Sequence, residues 1–251
     1  LRRFRLARGA SSVSSSLSST ALTASLHWLD PTASGRLRTR MKTPSPSKIV
    51  CVGRNYVGHA RELGNDVPER PLIFLKPPSS LIGDKDPIVI PPDSERVDHE
   101  GEIGIVIKQR ARHVSEAEAL EVVAGFVPLN DVTARDLQRV DVQFTRAKGF
   151  DTFCPVGSHP VLVDDWRGLE VVCRVNGALR QRGVAADMAF GIPMLIAFIS
   201  RVMTLEPGDL IGTGTPEGIA PLNPGDTVEV ELEGCSTISN PVIGFESVTR
   251  G

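Results

Sequence analysis

Glu100 and Glu102 stand one residue apart in an alternating stretch, Val97-Asp98-His99-Glu100-Gly101-Glu102-Ile103-Gly104-Ile105-Val106-Ile107. A third carboxylate, Asp131, closes a second apolar run about thirty residues further on. Side chains of a strand alternate with a period of two, so the two glutamates share one face while Ile103, Ile105 and Ile107 take the other. Like charges side by side on a half-buried face repel unless something positive lies between them. Three carboxylates make an all-oxygen donor set that suits a hard divalent cation such as Mg²⁺ or Mn²⁺. Spacing alone also leaves open a solvated Glu-x-Glu strand that holds no ligand.

Three further stretches carry chemistry. In Asn55-Tyr56-Val57-Gly58-His59-Ala60-Arg61-Glu62, His59 and Glu62 are three apart and share a helical face. A carboxylate beside imidazole raises its basicity and fixes its tautomer, as a general base near neutral pH requires; a plain surface ion pair is the alternative. Thr213-Gly214-Thr215-Pro216-Glu217-Gly218 follows a strand, and its glycines let backbone N–H groups approach a carboxylate or an oxyanion, or simply turn the chain. Arg146-Ala147-Lys148-Gly149-Phe150-Asp151 sets Lys148 where it could neutralise a developing enolate or lie exposed.

The elements that must position these groups are mostly short strands punctuated by Gly and Pro. Strands are expected at 49–52, 72–75, 88–90, 101–107, 125–130, 209–212 and 227–232, with a hairpin of 169–175 and 178–181 turning on Asn176-Gly177. Helices are expected at 55–63 (capped by Asn55), 115–123 (opened by a Ser115–Glu118 capping box), 133–139 and 192–203, the last with Pro193 in its first turn. Many short strands with few helices point to an α+β, mainly β roll rather than an alternating βαβ sheet.

Hydrophobic content of 41% and charged content of 23% are ordinary for a globular chain, and 251 residues can build one full core. Scarce aromatics and the absence of a basic stripe argue against nucleic acid, and no run reaches the roughly twenty apolar residues of a membrane span. Cys51, Cys154, Cys173 and Cys235 are widely spaced, without the pattern of a zinc site or disulfide framework, and fit buried thiols in a reducing compartment. Residues 1–40 hold seven Arg, nine Ser, no Lys and one acid, Asp30, whereas 29 acidic residues face 21 basic ones beyond them. That leader is expected to be disordered, as either an organellar transit peptide or an over-extension ahead of a start at Met41. The expected organisation is therefore a leader, 1–40, and a single catalytic domain, 41–251. Its expected location is the cytoplasm, or the mitochondrial matrix if the leader is a genuine transit peptide.

In this order, several stretches together resemble the fumarylacetoacetate hydrolase family, in particular its small single-domain acylpyruvate hydrolase and oxaloacetate decarboxylase branch. They are Val52-Gly53-Arg54-Asn55-Tyr56 with His59 and Glu62, Phe74-Leu75-Lys76-Pro77, His99-Glu100-Gly101-Glu102, Asn130-Asp131-Val132-Thr133-Ala134-Arg135-Asp136, the Lys148 segment, Gly208-Asp209 and Thr213–Gly218. The resemblance spans about residues 48 to 245. It implies a mixed β-roll or sandwich with short peripheral helices, assembled as a homodimer. It also implies Glu100, Glu102 and Asp131 as Mg²⁺ or Mn²⁺ ligands, and His59 with Glu62 as a water-activating dyad. Lys148 and Thr215, with Gly214, Arg54, Arg135 and Gln138, are implied to contact a 2-oxo acid substrate.

The activity this implies is hydrolysis of a C–C bond in an acylpyruvate-type diketo acid, His59 deprotonating the attacking water and an enolate accepting the electrons. Decarboxylation of oxaloacetate, its tautomerisation, and isomerisation or decarboxylation of longer unsaturated 2-oxo diacids use the same electron sink. The chain departs from the pattern at Gly149, where relatives often carry Ser, and in Asp187–Pro193, where its residues are smaller than usual.

Overall fold

In the computed structural model, which describes residues 45–247, the apolar runs pair into two five-stranded sheets. The first has the order Leu72–Lys76, Ile49–Gly53, Leu210–Gly212, Gly101–Ile107, Val123–Asn130, parallel between the second and third strands and antiparallel elsewhere. The second has the order Ala178–Val184, Glu170–Val175, Thr227–Leu232, Ser236–Gly244, Ile88–Ile90, antiparallel until its last, parallel pair. Among the described residues four short α-helices accompany them: α1 (Val57–Glu62), α2 (Arg135–Val140), α3 (Thr145–Lys148) and α4 (Ile192–Val202). The architecture is α+β and mainly β, as the pattern of short strands implies. The leader lies outside the described residues.

The Gly101–Ile107 strand sits at the centre of this arrangement. Ile103, Ile105 and Ile107 join one core cluster with Val171, Cys173, Val228 and Val230 of the second sheet. On its other face Val106 joins Ile49, Cys51, Val127 and Leu129, together with Cys154 and Val156 from the segment that crosses there. Both faces are thus covered, and the expectation of a half-buried strand is corrected: Glu100 and Glu102 are 4% and 1% exposed. Buried carboxylates cannot be left to water and must find compensation inside the protein.

Most expected elements form within a residue or two of their expected ends, and the Asn176-Gly177 turn has the positive φ at both positions (54° and 78°) that a tight hairpin demands. Two local expectations fail. Asn55 does not cap α1; its amide donates to the Phe190 and Thr213 carbonyls and its oxygen accepts from Phe190 N–H, tying the start of the α1 segment to two distant loops. Ser115 and Glu118 exchange the hydrogen bonds of a capping box, yet only a short 3₁₀ turn, Ala119–Val122, follows. Val123 is already paired with Ile107 in the sheet, so the chain must extend before a helix can propagate. Among the described residues no helix is long and apolar enough to cross a membrane.

Candidate active site

Strand register brings the three carboxylates together. Gly101 pairs with Asn130 and Glu102 with Leu129, so Glu100 falls opposite Asp131. Asp131 N–H donates to the Glu100 carbonyl at 2.8 Å, and Glu100 N–H donates to Asn130 Oδ1 at 2.9 Å, which locks that register. One carboxylate oxygen from each of Glu100, Glu102 and Asp131 lies within 4.8 Å of the others, and all three residues are buried. Glu102 accepts from Gly214 N–H at 3.0 Å. Gly214 adopts φ +96°, and a Cβ there would stand 2.8 Å from Asn55 Cβ, so only glycine delivers this N–H to the cluster.

Three cations answer the buried charge. Lys148 Nζ donates to Glu100 Oε2 (2.7 Å) and Asp131 Oδ2 (2.6 Å), and Lys76 Nζ donates to Asp131 Oδ1 (2.6 Å). Arg135 donates through Nη2 to Glu100 and through Nε to Asp98 (2.9 Å). Burial pushes the Glu100 carboxyl up, but Lys148 and Arg135 outweigh it and hold the group well below the usual carboxylate range. Burial likewise pulls the Lys148 ammonium down, and Asp131 and Glu100 reverse it, so Lys148 stays cationic. Glu102 differs. Burial, then Asp131 and Glu100, push its carboxyl well above the ordinary value, and among the described residues no cationic side chain bonds it. A buried carboxyl group that no cationic side chain among the described residues bonds, beside two others with convergent oxygens, is a fit for a divalent cation bound through Glu100, Glu102 and Asp131.

A cleft of about 370 Å³ opens over the cluster. Arg54, His59, Glu62, Arg135, Gln138, Lys148 and Thr215 line it together with the three acids, which brings every expected site residue to one place except Gly214, set just behind Glu102. His59, on α1, is buried, and its Nδ1 lies 3.3 Å from Glu62 Oε2; Glu62 Oε1 accepts from Gly218 N–H at 3.1 Å. The Thr213–Gly218 loop therefore directs its N–H groups at two of the protein's own carboxylates, Glu102 and Glu62. Thr215 Oγ1 donates to the Gly101 carbonyl at 2.9 Å, so its proton is committed to the ligand strand. Gln138 accepts from Arg135 Nη1 at 2.5 Å, so its carbonyl holds the guanidinium.

Sequence reasoning missed Lys76 and Arg139. Lys76 reaches the cluster through Asp131 and ends an apolar strand in which Phe74, two residues before it, lines the cleft; a lone cation closing such a strand was the available signal. Arg139 lies in the last turn of α2. Arg139 and Arg54 pair with no carboxylate among the described residues, and Arg54 is held at φ +59°. Gly149, where the family resemblance led to an expectation of serine, has a local cause: a Cβ would meet the Thr145 carbonyl at 2.4 Å. The buried thiols are no nucleophiles, since burial pushes Cys154 and Cys173 up to about 12 and Cys51 well above its ordinary value.

The chain is similar over most of its length to several known proteins. An oxaloacetate decarboxylase, mitochondrial, of Dictyostelium discoideum is 44% identical over 197 residues, covering 76% of this chain and 90% of the relative. An oxaloacetate tautomerase, mitochondrial, of Arabidopsis thaliana is 44% identical over 198 residues, covering 76% and 89%. The crystal structure of a 5-carboxymethyl-2-hydroxymuconate delta-isomerase from Mycobacterium smegmatis superposes with a TM-score of 0.75 at 47% identity, covering 80% of each chain. Residues 48–243 match the fumarylacetoacetate (FAA) hydrolase C-terminal domain, and the chain belongs to that family.

Proposed function

We propose that this chain is a divalent-metal-dependent enzyme of 2-oxo diacids that works by enolisation next to the oxo group, with oxaloacetate the substrate that fits best. The carrying observation is the convergence of Glu100, Glu102 and Asp131 at the floor of a cleft whose wall holds Lys148 and the His59–Glu62 pair. Mg²⁺ or Mn²⁺ held by the three carboxylates would supply a Lewis acid toward the carboxylate and oxo oxygens of such a substrate.

The remaining roles fall to the chain. Lys148 is a fixed positive charge beside the place where enolate charge develops, and being held cationic it stabilises charge rather than taking a proton. Glu62, itself fixed by Gly218 N–H, orients His59 through Nδ1 and leaves Nε2 to accept the proton from the carbon beside the oxo group and return it. Arg135, clamped by Asp98 and Gln138, lines the same wall with its planar donors. The guanidiniums of Arg54 and Arg139, which pair with no carboxylate among the described residues, favour a substrate with a second carboxylate over a neutral-tailed acylpyruvate. The names of the relatives, a decarboxylase and a tautomerase of oxaloacetate, support the same choice.

Acylpyruvate hydrolysis is the second reading, favoured by the His59–Glu62 pair, which could equally deprotonate a water. Purified protein with Mg²⁺ or Mn²⁺ is to be assayed for oxaloacetate enol–keto exchange, pyruvate release and acetylpyruvate cleavage, each repeated with EDTA. EDTA-sensitive turnover of oxaloacetate exceeding that of acetylpyruvate is expected. Preference for acetylpyruvate would make the chain a C–C hydrolase first, and turnover that survives EDTA would refute the metal requirement.

A further inference from the structure

Gln181 belongs to the second sheet, yet its side chain reaches the active-site strand and is only 2% exposed. It makes four hydrogen bonds: Nε2 donates to Thr215 Oγ1 (2.7 Å) and to the Pro216 carbonyl (2.8 Å), while Oε1 accepts from Gly101 N–H (3.0 Å) and faces His99 Nδ1 (2.9 Å). Their polarity follows from the partners. The Pro216 carbonyl can only accept and Gly101 N–H can only donate, so the amide has one possible orientation. His99, facing Oε1, must then carry its proton on Nδ1. Thr215 gives its own proton to the Gly101 carbonyl, which leaves its oxygen free to accept from Gln181.

The bonds join two parts of the site that are far apart in sequence. On one side is Gly101, the residue between Glu100 and Glu102. On the other is the 213–218 loop, which supplies Gly214 N–H to Glu102, Thr215 to the cleft wall and Gly218 N–H to Glu62. Gly101 is part of the device: a Cβ there would stand 3.0 Å from Cys173 Cβ and 3.6 Å from Gln181 Oε1, so the second sheet comes this near only because the residue between the glutamates has no side chain.

We propose that Gln181 is a positioning residue that sets the spacing between the carboxylate strand and the 213–218 loop, and through that loop the placement of Thr215 and Glu62. It touches no substrate; it acts through the loop it holds. Displacements on the order of 1 Å at a reacting geometry cost up to about a hundredfold in rate, which a rigid four-bond tie of this kind prevents.

The inference rests on the proposed activity for its kinetic half only, so the test has two readouts. Amide hydrogen exchange of the metal-free protein is compared between wild type and Gln181→Met, which keeps length but none of the four bonds. Faster exchange in 213–218 with unchanged protection of Ile103–Ile107 is expected; unchanged exchange in 213–218 overturns the proposal. Steady-state kinetics on the substrate that the wild type turns over are then measured for Gln181→Met, Thr215→Val and the double variant. Loss of about tenfold or more in kcat for each single variant, with the double variant no worse than the poorer single, is expected. Wild-type kcat in Gln181→Met with only a lowered Tm, or multiplicative losses in the double variant, would overturn it. Gln181→Glu, which keeps both acceptor contacts and loses both donors, serves if the methionine variant does not fold: it too must lose kcat, and full activity would contradict the role. A wild type inactive on every 2-oxo acid would count against the proposed function while leaving the exchange test intact.

Discussion

At the scale of single residues the site is a problem in charge, and substitutions should report on it. Glu102→Gln keeps the size and the acceptor for Gly214 N–H but removes the charge that among the described residues no cation answers; activity should fall to background while the fold survives. Retained activity in that variant would show that Glu102 is not a ligand. His59→Ala should lower the rate of enol–keto exchange by about 10²–10⁴-fold, the usual worth of a positioned acid–base group, with bound metal unchanged; a loss under tenfold would assign proton transfer elsewhere. Lys76→Met leaves a buried carboxylate oxygen without its cation and should cost roughly 3–5 kcal/mol in metal-free unfolding measurements, less when metal is present. The carboxylates were legible in the sequence because a strand's period of two forces Glu100 and Glu102 onto one face. Lys76 was not, because its meaning depends on Asp131, 55 positions away, and no local pattern announces a partner at that distance.

At the scale of elements the Gly101–Ile107 strand carries the site: Glu102 lies on the face that Val106 shares with one core cluster, and Ile103, Ile105 and Ile107 fill the other core. Ile105 is fully buried in the sandwich core, and Ile105→Ala should destabilise by roughly 2–5 kcal/mol, measured by denaturant unfolding, as cavity-forming substitutions do. A smaller effect would mean that the two sheets close over the gap. Strands whose apolar residues run or alternate cleanly, such as 88–90, 101–107 and 227–232, could be read directly. Ser236–Gly244 was missed because its buried positions include Asn240 and its middle holds Pro241, a residue that lacks the N–H a strand normally donates. The helix expected at 115–123 failed for the opposite reason: its capping signal is real, but sheet pairing at Val123 overrides it.

At the scale of the whole molecule, long-range ties hold the start of the described chain to the site-bearing sheet. Asp209, buried, accepts from Ser47 N–H and Oγ, Lys48 N–H and Nζ, and Glu206 N–H. Burial pushes its carboxyl up, and the bonds from Lys48, Glu206 and Ser47 more than reverse it, so it ionises below its ordinary 3.8. A group depressed in the fold stabilises above its unfolded value and loses that contribution as pH falls through the folded one. Asp209→Asn should therefore cost about 1.5–3 kcal/mol at pH 7, the worth of hydrogen bonds to a charged group, and the gap to wild type should shrink toward pH 3. A gap independent of pH would show that the charge is not what matters. The homodimer implied by the family resemblance is a further proposal, which sedimentation would check against a chain mass of 27.0 kDa. The central claim is that Glu100, Glu102 and Asp131 form a divalent-cation site, and its most direct test is Mn²⁺ titration followed by the electron paramagnetic resonance signal of the free ion. One Mn²⁺ bound per chain, displaced by Mg²⁺ and lost in Glu102→Gln, is the predicted result; no binding, or binding that Glu102→Gln leaves unchanged, would contradict it.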